Sequence, residues 1–246
     1  MSDIEAYKHT IYKLWPSFNA WKSWVEFQLL NREQRLADQS VIDGDRRNGA
    51  VLVTLIVPQS IWEGYTDSYL DHIYTILELR SKKLNKNPGD VAFPGGKIDK
   101  SDNGPVAAAI REANEEVGLE NSDLEVIGLM DEFVSNSKMV VYPVVAWKIM
   151  PTPPEELYNV LKSKYYPRTM ESEAVSIVPL THLLDDHNYM STEIQFQESM
   201  RRVFIRFFNI DKYLTGVHVW GLTASILRRF LDIVFPGNSL PEEIIG

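Results

Sequence analysis

The sequence predicts an α/β fold, a mixed β-sheet with helices on its faces. Short apolar runs of strand length, above all Val51–Val57 closed by Pro58, are interspersed with segments of helical period. Strands and helices do not alternate strictly, which argues against an all-parallel sheet. At 246 residues the chain is long enough to bury a large core without covalent staples. It contains no Cys, so disulfides, zinc–thiolate sites and cysteine nucleophiles are excluded.

Each element has a local reason. Residues 4–42 carry Trp15, Phe18, Trp21, Trp24, Phe27 and Leu30 at three-residue spacing, a helical stripe broken near Pro16 that is expected to pack its aromatic face on the domain. Ala50–Val57 reads as a buried strand and Tyr74–Arg80 as a second, with Pro58–Asp71 as a surface insertion between them. Asn85-Lys86-Asn87-Pro88-Gly89 is a turn, and Phe93-Pro94-Gly95-Gly96 a further backbone break. A helix follows over Val106–Val117: Pro105 suits its first turn, Asp102 or Asn103 can cap it, and Gly118 stops it. Leu124–Val134 and Met139–Lys148 are strands, and Pro151–Pro167 is a Pro-rich loop with one short helix. Ala174–Val178 is a strand leading into a short helix through Asp185, Arg202–Phe208 is strand-like, and Val217–Val234 is a long amphipathic helix. The chain divides into a helical extension at 1–45, a main domain at 46–235 and a tail at 236–246.

Charge narrows the function. Lys and Arg number 25 against 34 Asp and Glu, a net charge of −9, which opposes general binding to nucleic-acid phosphates. No apolar run reaches membrane-spanning length, and the N-terminus lacks a basic region followed by an apolar one. An intracellular protein is expected, with cytoplasm, peroxisome and mitochondrion all open. The five His are scattered, and His182 and His187 stand at a spacing unsuited to a shared metal.

The most informative stretch is Arg111-Glu112-Ala113-Asn114-Glu115-Glu116-Val117-Gly118-Leu119. On a helix Glu112 and Glu116 share a face and Glu115 flanks them. Three carboxylates there repel one another and oppose the negative end of the helix dipole. A hard divalent cation would resolve the conflict, sharing the carboxylates with a substrate phosphate. Arg111 can hold one carboxylate through a forked hydrogen bond. Gly95-Gly96 lets backbone carbonyls approach a metal or a phosphate unobstructed. Taken singly, the acidic face could be plain solvated helix surface; its combination with the glycine loop, the capped start and the glycine stop favours a site.

These residues resemble the Nudix box, whose pattern is G-x5-E-x7-R-E-U-x-E-E-x-G-U. Gly96 and the run from Arg111 to Leu119 match it, Asp102 stands in place of the upstream Glu, and one extra residue separates Asp102 from Arg111. Both departures are features of the coenzyme A diphosphatase subgroup. The segment Leu79–Asp99 is similar to that subgroup's coenzyme A signature, with Asn85 or Lys86 where an Arg is usual, and Trp220-Gly221-Leu222-Thr223-Ala224 is a weaker echo. The resemblance spans roughly residues 48 to 232.

The resemblance implies a Nudix α/β/α sandwich with a mixed sheet and an N-terminal helical extension. It implies metal-dependent hydrolysis of the diphosphate of coenzyme A or its derivatives to 3′,5′-ADP and (acyl-)4′-phosphopantetheine. Mg²⁺ or Mn²⁺ would be held by Glu112, Glu115, Glu116 and the Gly96 carbonyl, with Arg111 orienting the acidic set. A downstream Glu or Glu112 would take the proton, and Glu171 or Glu173 could supply a further carboxylate to the metal site. Arg80, Lys82, Lys83, Lys86 and Lys97 form a basic run in an acidic protein. It reads either as a solubilising loop or as a clamp for substrate phosphates, and the glycine loop beside it favours the clamp; Arg80 and the Lys82–Lys86 run are nearest for a 3′-phosphate. The expected partner is a nucleotide-type small molecule, not nucleic acid or membrane, and a homodimer is compatible. Two alternatives stand beside this: a Nudix hydrolase of oxidised nucleoside triphosphates or dinucleotides, and a non-catalytic nucleotide-binding module.

Overall fold

In the computed structural model, residues 3–37, 48–64, 68–135, 137–195, 202–238 and 240 are described. Seven helices and eleven strands follow in order: α1 Asp3–Leu14, α2 Phe18–Ala37, β1 Asn48–Pro58, α3 Gln59–Trp62, β2 Tyr74–Arg80, β3 Val91–Ala92, β4 Gly95–Lys97, α4 Gly104–Val117, β5 Leu124–Leu129, β6 Phe133–Val134, β7 Val140–Met150, α5 Pro154–Lys164, β8 Ser172–Pro179, α6 Leu180–Leu184, β9 Tyr189–Gln195, β10 Arg202–Asn209, β11 His218–Trp220 and α7 Gly221–Val234.

The main sheet is mixed, as expected. Its path is β3-β2-β1-β7-β5, with β4 added to β1, β6 to β7 and β8 to β2. β1 and β7 run parallel over their full length, from Asn48↔Val140 to Pro58↔Met150, and the other pairings are antiparallel. Strand alternation divides the apolar residues of β1 between two cores. Ala50, Leu52 and Ile56 pack with Ala108, Ala109, Ala113 and Val117 of α4 and with Leu157 and Leu161 of α5. Val53, Leu55 and Val57 face the opposite layer, built from α1, α2, α6 and α7. The result is an α/β/α sandwich. A second, antiparallel sheet β11-β10-β9 lies outside the main one.

The N-terminal helices belong to the same core. Trp21 stacks on Phe235 at 5.1 Å and its Nε1 donates to the Val234 carbonyl at 3.1 Å. Tyr7 donates to the Phe235 carbonyl, and Phe18 and Trp21 meet Trp147 of β7 edge-on. The aromatic stripe is only half right. The chain breaks at Pro16 as expected, but Phe27 is 62% exposed and Leu30 51%. Three-residue spacing drifts off a 3.6-residue turn, so the buried row is Phe18, Trp21, Val25 and Leu29.

Other boundaries also move. The expected insertion at Pro58–Asp71 contains α3 and a 3₁₀ turn at Tyr69–His72 and buries Ile61, Tyr69 and Leu70. The expected helix Val217–Val234 begins as strand β11, because His218–Trp220 pair with Phe207–Asn209, and turns helical only at Gly221. Strand β9 was not expected. Residues 38–47 of the proposed extension and domain start, and 239 and 241–246 of the proposed tail, lie outside the described residues.

Truncating Trp21 removes the stacking and hydrogen bond between α2 and the end of α7. Trp21→Ala should cost about 3–5 kcal/mol of stability, whereas Leu30→Ala should cost under about 1 kcal/mol. Denaturant unfolding of both variants checks the assignment, and similar losses would contradict the buried row.

Candidate active site

The site forms where α4 lies against the edge of the sheet. Ala108, Ala109 and Ala113 are fully buried, and their small side chains let the helix axis come close to β1 and β4. Pro105 sits in the first turn and Gly118, at φ +77°, closes the last one; its N–H bonds the Asn114 carbonyl and that of Leu119 the Ala113 carbonyl. The N-cap position is Asn103, which makes no side-chain cap bond. Asp102, the other expected cap, is taken by Arg111 instead.

Arg111 is the centre of a positioning network. Its Nε reaches Asp102 Oδ1 at 3.0 Å and its Nη2 reaches Asp102 Oδ2 at 2.9 Å, a forked pair. Nη2 also donates to the Lys97 carbonyl at 3.1 Å, tying the helix to β4. Nη1 lies 3.0 Å from Glu112 and 3.4 Å from Glu115. Asp102 closes its own turn by accepting from the Asp99 N–H at 2.8 Å. The guanidinium holds the Asp102 carboxyl below the usual carboxylate range, and that same bond raises the Arg111 pKa.

The three box glutamates part company. Glu115 is exposed and turns toward Arg111. Glu112 is half-buried, and its carboxylate lies over Gly96: a Cβ there would stand 2.5 Å from Oε1. Glu116 is 4% exposed and accepts from the Gly95 N–H at 2.8 Å. The register explains which glycine amide is free to do this. Leu52 N–H bonds the Pro94 carbonyl and Ile98 N–H the Asn48 carbonyl, so alternation turns Gly96 into the β1 ladder and Gly95 toward α4. Gly95 must be glycine, since a Cβ would run into the Ala50 carbonyl and Val51.

One carboxylate escaped the sequence reading. Glu78 of β2 is 1% exposed and interacts electrostatically with both Glu116 and Glu112. Burial, then the Glu78 charge, push the Glu116 carboxyl up to about 8. Burial also raises Glu78, against the Ser172 hydroxyl and Arg80, and raises Glu112 against Arg111. The signal was present: Glu78 is the acidic residue of an otherwise largely apolar strand, in phase with Tyr74 and Ile76, which face α4.

Among the expected substrate residues, Arg80 lies with the acids, Nη1 4.0 Å from Glu78 Oε1. Lys82, Lys83, Lys86 and Lys97 are exposed. Glu173 is committed to the Lys82 N–H at 2.9 Å, so it anchors the basic loop. Glu171 lies toward Glu78, and its carbonyl accepts from the Ser81 N–H. Asp185, Asp186 and His187 form a separate surface group in which the imidazole pairs with both acids.

A NUDIX domain matches residues 72–188, which covers β2, the glycine loop, α4 and β8. The NudL protein of Escherichia coli O7:K1, an uncharacterized Nudix hydrolase, is 35% identical over 154 residues, 63% of this chain and 71% of that protein. The chain belongs to the Nudix hydrolase family. The human mitochondrial coenzyme A diphosphatase NUDT8 is 35% identical over 166 residues, 67% of this chain, and the chain spans 64% of its length. A solved Enterococcus faecalis MutT/nudix family protein is 13% identical, with a TM-score of 0.44, over 82% of this chain and 67% of that one. In this Nudix hydrolase the acidic helix α4 follows the glycine loop and strand β4.

The raised Glu116 carboxyl has a measurable consequence without metal. The unfolded chain releases that proton near the ordinary carboxylate value and the folded one only near pH 8, so folding takes up a proton in between. Stability should therefore fall as pH rises from about 5 to about 8. Melting temperatures in chelator should show this slope in the native protein and a shallower one in Glu116→Gln. Equal slopes would remove Glu116 as its source.

Proposed function

We propose that this Nudix hydrolase cleaves the diphosphate linkage of coenzyme A and its derivatives, yielding 3′,5′-ADP and (acyl-)4′-phosphopantetheine. The observation that carries the reading is the basic loop, Arg80 to Lys86, set directly ahead of the glycine loop and anchored by Glu173 beside a buried acidic cluster. A coenzyme carrying a diphosphate and a separate 3′-phosphate needs cations at two places. The likeness to a protein named a coenzyme A diphosphatase supports the same choice.

The donor set suits a hard divalent cation, Mg²⁺ or Mn²⁺. Glu78, Glu112 and Glu116 interact electrostatically with their charged forms disfavoured, and Glu78 Oε1 has no hydrogen-bond partner among the described residues. Glu112, Glu115 and Glu116 would hold the ion. The Gly96 carbonyl faces β1, so it would contribute through its second lone pair. When bound, the cation neutralises diphosphate charge and lowers the pKa of its water.

The chain's own residues do the rest. Gly95 N–H fixes the rotamer of Glu116. Arg111 spends its donors on Asp102, Lys97, Glu112 and Glu115, so it orients acids rather than substrate. Glu112 and Glu171 are the candidates for taking the proton, Glu173 being engaged elsewhere. Arg80, beside the acids, would answer the diphosphate, and the exposed Lys82 and Lys86 the more distant 3′-phosphate, with Lys97 on the opposite rim of the glycine loop.

Purified protein assayed on coenzyme A, dephospho-coenzyme A, oxidised nucleoside triphosphates and dinucleotides, with Mg²⁺ and with chelator, tests the reading. Coenzyme A should be the preferred substrate, and chelation should abolish turnover. Glu116→Gln should lower kcat by about 10² or more, because charge stabilisation at the metal is worth several kcal/mol. Preference for an oxidised nucleotide would overturn the substrate assignment.

The lysines separate from Arg80 kinetically. Lys82→Ala with Lys86→Ala should cost coenzyme A about tenfold to a hundredfold in kcat/KM, the worth of a charge-assisted contact, and dephospho-coenzyme A little. Arg80→Ala should hurt both substrates alike. An equal effect of the lysine changes on both would sink the 3′-phosphate role.

A further inference from the structure

The structure assigns Glu78, a strand residue outside the acidic helix, as an additional carboxylate donor to the divalent-cation site. This rests on the cation site proposed above and extends it to a second element of the fold. Strand β2 is otherwise built for burial: Tyr74, Thr75, Ile76 and Leu77 are all buried. A carboxylate at its fifth position is out of place by strand chemistry, where β-branched and aromatic residues fit best. Alternation puts Glu78 in phase with Tyr74 and Ile76, on the face covered by α4. Its register partners, Ala92 and Val175, offer no charge.

The two oxygens of Glu78 are treated differently. Oε2 accepts from the Ser172 hydroxyl on β8, which fixes the side chain. Oε1 is buried and has no hydrogen-bond partner among the described residues. Arg80 Nη1 stands 4.0 Å away, beyond hydrogen-bonding distance. The surrounding charges do not balance: Glu78 interacts with Glu112, Glu116 and Glu171, against Arg80. Arg111 is already engaged by Asp102, Glu112 and Glu115. A buried carboxylate oxygen whose sister atom is hydrogen-bonded, itself without a hydrogen bond and in the field of two further carboxylates, has the chemistry of a cation ligand. A purely structural Glu would have both oxygens paired, as Asp102 does.

Mn²⁺ binding to the substrate-free protein, followed by electron paramagnetic resonance of the free ion, tests this without reference to turnover. Glu78→Gln keeps the side-chain shape and an acceptor for Ser172 while removing the charge. It should weaken Mn²⁺ binding by about tenfold or more, since even outer-shell changes cost metal sites that much. Glu116→Gln should weaken it as well. If Glu116→Gln weakens binding and folded Glu78→Gln matches the native protein, the assignment of Glu78 is wrong while the cation site stands. If the native protein binds no Mn²⁺, the cation site itself fails. Should Glu78→Gln not fold, a crystal of the native protein grown with Mn²⁺ decides. An anomalous peak about 2 Å from a Glu78 oxygen supports the assignment, and a peak on the α4 acids with Glu78 out of reach overturns it.

Discussion

The site depends on one unfavourable interaction, the mutual repulsion of the buried carboxylates of Glu116 on α4 and Glu78 on β2. Glu116 and Glu78 come from elements far apart in sequence, and both are all but inaccessible to water. Nothing in either element's own stability favours that meeting. It is enforced by the sheet, because β2 pairs with β1 and β3, and by α4, whose alanines seat it against β1 and β4. With bulkier side chains at Ala108, Ala109 or Ala113 the helix would stand off and the carboxylates would separate. The small residues of α4 therefore determine the electrostatics of the site as much as its acids do.

Arg111 keeps this arrangement from relaxing. Without it, Glu112 would be free to swing away from the glycine loop, and Asp102 would lose the partner that ties the turn to the helix. Its bond to the Lys97 carbonyl couples the network to β4, the strand whose neighbouring Gly95 amide fixes Glu116. The acids are thus oriented from both sides, by a guanidinium from the helix and a backbone amide from the loop. Such orientation before any ligand arrives lowers what must be ordered on binding.

Legibility followed the range of the physics. Everything local was readable: the helix between Pro105 and Gly118, the acidic face, the glycine loop and the strands β1, β2 and β7, because periodicity and punctuation determine these within a few residues. Signals that depend on pairing were missed. His218–Trp220 looked like the start of a helix, and only β10 makes it a strand. The aromatic row of α2 was misphased, since Phe27 shares a spacing with Trp21 and Trp24 but not a face. Glu78 was passed over for the same reason. As a lone acid in a strand it carried no motif, and its meaning arises from an element some forty residues downstream.

The departure from the family's box at Asp102 shows how sequence change and geometry compensate. Asp is one methylene shorter than Glu, so a carboxylate at this position must be carried closer to Arg111 by the backbone. Residues 99–102 close a turn in which the Asp99 N–H bonds the Asp102 side chain and the Asp102 N–H bonds the Asp99 carbonyl. The turn leaves both Asp102 oxygens facing the guanidinium, and the forked pair is retained at 2.9 and 3.0 Å. The Arg111 held by this fork is the same guanidinium that pairs with Glu112, whose carboxylate lies over Gly96.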